Sequence, residues 1–165
     1  MKSNITSHGT LFALCLTCAT VDAATVPYRF DVSLDSGPRN GALYNGTFSY
    51  DDAALSGSGD EYLSLDSFNF SFEGTQLTLA EDAFAEAAFY DGALLGISYN
   101  ATNTDFSVSF TPGFFDLSEA YFAYDLTGEG AGFGSLTVTA VPIPAALPLL
   151  LTGLGALGFF SRRPG

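Results

Sequence analysis

The feature that most constrains this chain is an alternation with period two. Phe68, Phe70 and Phe72 are separated by Asn69 and Ser71, and Phe106, Val108 and Phe110 by Ser107 and Ser109. Phe30, Val32 and Leu34 enclose Asp31 and Ser33, and Leu136 and Val138 alternate with Thr137 and Thr139. A strand sends successive side chains to opposite faces, whereas a helix brings residues three and four apart together. These segments therefore have one apolar and one Ser/Thr/Asn face, as half-buried antiparallel strands do. Turn formers punctuate them at Asp35-Ser36-Gly37-Pro38, Asn40-Gly41, Asn45-Gly46, Ser56 to Asp60, Glu73-Gly74, Asp91-Gly92, Pro112-Gly113 and Gly128-Glu129-Gly130. The spacing predicts about eight or nine strands in an all-β, antiparallel β-sandwich, jelly-roll-like in arrangement. One stretch is ambiguous: the alanines and glutamates of Ala80 to Tyr90 suit a short helix, and Phe84 and Phe89 do not fix a period.

The two ends depart from this pattern. Lys2 precedes an apolar run of nine residues, Leu11 to Ala19, followed by Val21-Asp22-Ala23. A positive start, a short apolar core and a small-x-small site make residues 1–23 a secretory signal peptide, with Ala24 the first mature residue. Neither Cys15, after Leu14, nor Cys18, after Thr17, fits a lipoprotein site. At the other end, Val141-Pro142-Ile143-Pro144-Ala145 opens a run that is apolar from Ile143 to Phe160 apart from Thr152 and small glycines, and Arg162-Arg163 closes it. Those 18 residues make about 27 Å of helix, enough for a thin hydrocarbon core. They predict one transmembrane helix over about 145–160, with Arg162 and Arg163 cytoplasmic. The signal peptide and this tail agree on orientation.

The tail resembles the PEP-CTERM class of bacterial sorting signals, most closely its VPLPA variant. The match lies in Val141 to Ala145, the Leu/Gly-rich run Leu147 to Phe160, and the terminal Arg162-Arg163. The resemblance covers about 25 residues, with Ile143 in place of the usual leucine and Pro164-Gly165 after the arginines. It implies export through the Sec translocon, cleavage by signal peptidase, and retention in the inner membrane by the C-terminal helix. An exosortase then recognises residues 141–165 and passes the protein to the cell surface or extracellular matrix.

Between these addresses lies one domain, residues 24–140. It holds 17 acidic residues against Arg29 and Arg39, a net charge of −15, so nucleic acid is excluded as a partner. It has no Cys, His, Lys, Met or Trp, and it carries 13 Phe and 8 Tyr. Stability must then come from apolar packing rather than disulfides. Ser nucleophiles have no base beside them, and zinc or iron sites lack imidazole and thiolate. No phosphate-cradling glycine loop ends in Lys. Asp35-Ser36-Gly37 has the order of an aspartic protease site, but one copy needs a second chain for its partner carboxylate, and a hairpin turn needs none. The sequons at Asn45, Asn69 and Asn100 belong to eukaryotic secretion and are coincidental beside a bacterial tail.

Three constellations remain. Asp51, Asp52, Asp60 and Glu61 flank a Gly/Ser loop and are either candidate calcium ligands or a solvated acidic loop; the EF-hand and RTX patterns are absent, and no cofactor other than this candidate calcium is read from the residues. Glu61, Glu73, Glu86 and Glu119 are candidates for the paired carboxylates of a glycoside hydrolase. Phe114, Phe115, Tyr121 and Tyr124 are candidate ligand-contact aromatics, or caps on the core ends. The reading is an exported surface or matrix protein with a non-catalytic structural or adhesive role and no catalytic residue. The alternatives are a carbohydrate-binding module, calcium-assisted and contacting exopolysaccharide, and a weak glycoside hydrolase.

Overall fold

A computed structural model of the chain describes residues 25–141. The expected signal peptide, the transmembrane helix and all of the sorting segment except Val141 lie outside the described residues. Within them the protein is all-β. Its strands are β1 (Thr25–Leu34), β2 (Leu43–Asp51), β3 (Asp60–Ser64), β4 (Ser67–Phe72) and β5 (Thr75–Leu77), then β6 (Glu86–Tyr90), β7 (Ala93–Thr102), β8 (Phe106–Thr111), β9 (Tyr121–Leu126) and β10 (Gly130–Ala140). They form one ten-stranded antiparallel sheet in the order β3-β6-β7-β8-β9-β10-β1-β2-β4-β5. Two single-turn 3-10 helices, Asp52–Ala54 and Leu117–Glu119, sit in connections, and among the described residues no helix is long and apolar enough to cross a membrane.

Most sequence neighbours are sheet neighbours. The chain crosses between edges only at β2–β3, β3–β4 and β5–β6, so β6 to β10 run as an uninterrupted meander. β3 and β4 stand near opposite ends of the strand order but are joined by only Leu65 and Asp66. At that corner Leu65 N–H donates to Ala85 O at 3.0 Å and Asp66 N–H to Ser49 O at 2.8 Å. One continuous segment thus leaves β6 and joins β2, which draws the two ends of the sheet together.

The aromatic core shows how far the sheet curls. Phe70 on β4 meets Phe110 on β8 edge-on at 5.1 Å and Phe122 on β9 at 5.4 Å. Phe68 stacks on Tyr99 of β7 at 4.0 Å, and Phe30 of β1 meets Phe110 at 5.2 Å. These strands are far apart along the sheet, so the contacts exist only because the sheet folds over on its apolar face. Every alternating residue predicted to point inward is buried, save Val138, which is half-buried. Gly46 is required here: a Cβ at that position would run into the ring of Phe30. The Tyr99 hydroxyl, deep in the core, donates to Thr78 O at 3.0 Å. Among the described residues no buried side-chain polar atom lacks a partner.

The helical option for Ala80 to Tyr90 is corrected. The segment is turn up to Phe84, and Glu86–Tyr90 is strand β6, paired with β3 and β7. The Glu81 carboxylate accepts from Thr78 N–H at 2.7 Å, and Asp82 accepts from Phe84 N–H at 3.1 Å and Asn100 N–H at 2.8 Å. Side chains that bond nearby amides in this way stabilise turns at the expense of a helix.

Candidate functional site

The curl gives the domain two ends. Thr25, Asp51, the 52–59 loop, the β6–β7 hairpin, the β8–β9 connection and Val141 share one of them, which is where the chain leaves the fold. The turns after β1, β4, β7 and β9 share the other. The predicted residues fall on both.

The acidic loop is at the exit end. Glu61 accepts three backbone N–H groups, from Ser56 at 2.6 Å, Gly57 at 2.7 Å and Ser58 at 3.1 Å. Those amide dipoles, Ser56 first, hold its carboxyl below the usual carboxylate range. Asp51 accepts from Ala53 N–H at 2.9 Å. Among the described residues no three or more His, Cys, Asp or Glu side chains gather as metal ligands do, and Asp51, Asp52, Asp60 and Glu61 do not form such a group. Glu61 serves instead as an anion inside its own loop.

Among the hydrolase candidates, Glu73 stands at the opposite end from Glu61 and Glu119. Glu73, at the far end, accepts from Arg39 at 2.9 Å and from the Tyr44 hydroxyl at 2.8 Å, and Arg39 also donates to Glu129 at 2.7 Å. The Arg39 bond holds Glu73 below the carboxylate range, while burial and the Glu73 bond push Tyr44 up to about 12. A general acid needs the opposite shift. Glu119 accepts from Phe114 N–H at 2.9 Å and Phe115 N–H at 2.8 Å, and Glu86 lies on β6 opposite Ser64 and Ser98.

The aromatic candidates divide. Tyr124 is a core residue, not a surface one: it is 3% exposed, and its hydroxyl donates to Ser36 O at 2.9 Å and accepts from Arg39 N–H at 2.9 Å. Asp35-Ser36-Gly37 is the turn that these bonds hold. Phe114 and Phe115 are not caps on the core, being 79% and 74% exposed and packed edge-on against each other at 4.7 Å. Tyr121 is 44% exposed and shares a broad apolar groove with Ala123 and Phe133. Phe133 is missing from the predicted set because Gly132 and Gly134 flank it and hide the period. Pairing signals it: Phe133 opposes Ala123, so its ring lies on the outer face with Tyr121.

Sequence reasoning also passed over the outer face as a surface. Arg29, Asn45, Thr47, Asn69, Ser71 and Gln76 line one shallow depression across β1, β2, β4 and β5. Asn100, Thr102, Ser107 and Ser109 line another across β7 and β8. The period-two pattern already contained them as the outward half of each strand. Such a surface offers many neutral donors and acceptors and no convergent reactive pair. Comparison of the chain with family profiles, curated proteins and solved structures found no match.

Proposed function

We propose that this is an exported bacterial surface or extracellular-matrix protein with a non-catalytic structural or adhesive role. Its folded part is a two-layer β-sandwich, delivered by signal peptide 1–23 and held by the 141–165 tail until an exosortase processes it. The observation that carries the non-catalytic half is the use of its carboxylates. Glu61, Glu81, Glu119, Asp82, Asp91 and Asp116 accept backbone amides, and Glu73 and Glu129 hold Arg39. Of these, Glu61, Glu73, Glu81 and Asp116 are held below the ordinary carboxylate range by those bonds, the wrong direction for a general acid. The export half is supported by the order of the tail elements. Fractionating the producing bacterium tests it: peptides from 24–140 belong in the surface or matrix fraction, and a purely cytoplasmic chain overturns the reading.

A carbohydrate-binding role is the second reading, favoured by the Tyr121–Phe133 groove beside Ser/Thr/Asn faces. An aromatic face packs on sugar C–H groups while neighbouring amides and hydroxyls bond the sugar hydroxyls. Titration with bacterial polysaccharides, with calcium and with chelator, tests it. No binding in any arm removes it.

A further inference from the structure

We infer that Phe114 and Phe115 are a membrane-facing contact, by which the folded domain rests on the bilayer while its C-terminal tail is in place. The inference rests on reading residues 143–160 as a membrane segment. Its independent basis is the placement of the pair. β10 runs to Ala140, opposite Tyr28 of β1, and Val141 N–H donates to Pro27 O at 2.9 Å. The described sheet bonds therefore reach to within two residues of Ile143, where the apolar run begins. Two residues of extended chain span about 7 Å. Whatever stands at this end of the domain is held close to the start of the apolar run.

The β8–β9 connection stands there. Thr111 opposes Tyr121, Tyr121 opposes Ser135, and β10 continues past that level to Ala140, with the Leu117–Glu119 turn packed against it. The connection is braced from inside. Gly113 N–H donates to Leu95 O at 2.9 Å, Glu119 takes both phenylalanine amides, and Asp116 takes Ser118 N–H at 2.8 Å. Its two rings are thus held outward before any partner arrives, and binding need not order the loop. Tyr90, 49% exposed on the β6–β7 hairpin, belongs to the same end. Exposed aromatics on a rigid tip are what a membrane interface accepts. The tether supplies the high local concentration that so small an apolar contact needs.

The chain has no Trp, so single substitutions report position without background. The full chain is placed in phosphatidylcholine vesicles whose acyl chains carry bromine, a collisional quencher. Phe115→Trp probes the contact, with Phe114→Trp as a second probe. Leu150→Trp probes the tail, and Leu43→Trp, 77% exposed at the start of β2 on the far end, is the control. Expected are quenching and a shift to shorter wavelength for residues 114, 115 and 150, and neither for 43. Quenching at 150 with residues 114 and 115 no more quenched than 43 overturns the contact and leaves the tail reading standing. An unquenched probe at 150 overturns the tail reading and the contact with it.

Discussion

Glu73 sits where turn chemistry would choose another residue. The Glu73-Gly74 hairpin has φ of 47° and 77°, the left-handed pair that favours Asn-Gly or Asp-Gly. The longer side chain is explained by its reach, because its carboxylate takes both Arg39 and the Tyr44 hydroxyl. Arg39 in turn ties the β1–β2, β4–β5 and β9–β10 turns into one end of the domain. Glu73→Asn should therefore relax the turn yet lower Tm, and the loss should shrink in 1 M salt, where exposed ion pairs are screened. A Tm equal to or above the parent's would show that local backbone preference outweighs the clasp. Glu61→Gln probes the other end. With the charge gone, Ser56, Gly57 and Ser58 amides should exchange with deuterium faster while core amides are unchanged. Unchanged exchange at those three would remove Glu61 from its bracing role.

Among the elements, β4 carries the most. Phe68, Phe70 and Phe72 all face inward and meet rings from β1, β7, β8 and β9. Phe70 is 1% exposed, and its contacts span the curl, so Phe70→Ala should cost about 3–5 kcal/mol by urea unfolding. A cost below about 1 kcal/mol would mean that the two sides of the curl can collapse onto the gap. The inward role of Phe70 was legible in the sequence because a period of two needs no tertiary information. The strand at Glu86–Tyr90 was not. Ala85, Ala87, Ala88 and Phe89 are all buried, and a bulge between Ala88 and Phe89 shifts the register, so neither period holds. Its strand identity comes from β3 and β7 on either side, partners that a local pattern does not contain. The exposed aromatics were half legible for a related reason. Pro112-Gly113 marks a turn before Phe114 and Phe115, but only the folded structure, where Glu119 holds both backbone amides and both rings stay exposed, shows that they face outward. The role of the acidic loop was not legible, because acidic residues near a glycine loop look alike whether they bind a cation or the loop's own amides, and only the structure shows Glu61 taking three of those amides.

At the scale of the molecule, a net charge of −15 on the 24–140 domain and a set of braced carboxylates oppose each other as pH falls. Protonation relieves repulsion, which favours folding, and removes the braces, which opposes it. Glu61, Glu73, Glu81 and Asp116 are all held below their ordinary range, by loop amides, by Arg39 or by the Ser118 hydroxyl and amide. A depressed carboxylate stabilises the fold above its unfolded value of about 4 and ceases to do so as pH falls through its folded value. Urea midpoints of residues 24–141 should thus be level from about pH 7 to 5 and fall below about pH 4. A midpoint that climbs steadily with acid would show that repulsion dominates. The sheet also limits where the tail can be cut. β1 and β10 pair through Tyr28 and Ala140, and Val141 N–H still bonds Pro27 O, so cleavage before Val141 would strip bonds from two central strands. A cut within Pro142 to Ala145 leaves every sheet bond among the described residues in place. Mass spectrometry of the surface fraction should find C-termini inside that window and no peptide containing Arg162-Arg163, whereas an intact tail there would refute processing and a terminus upstream of Ala140 would refute the limit set by the sheet.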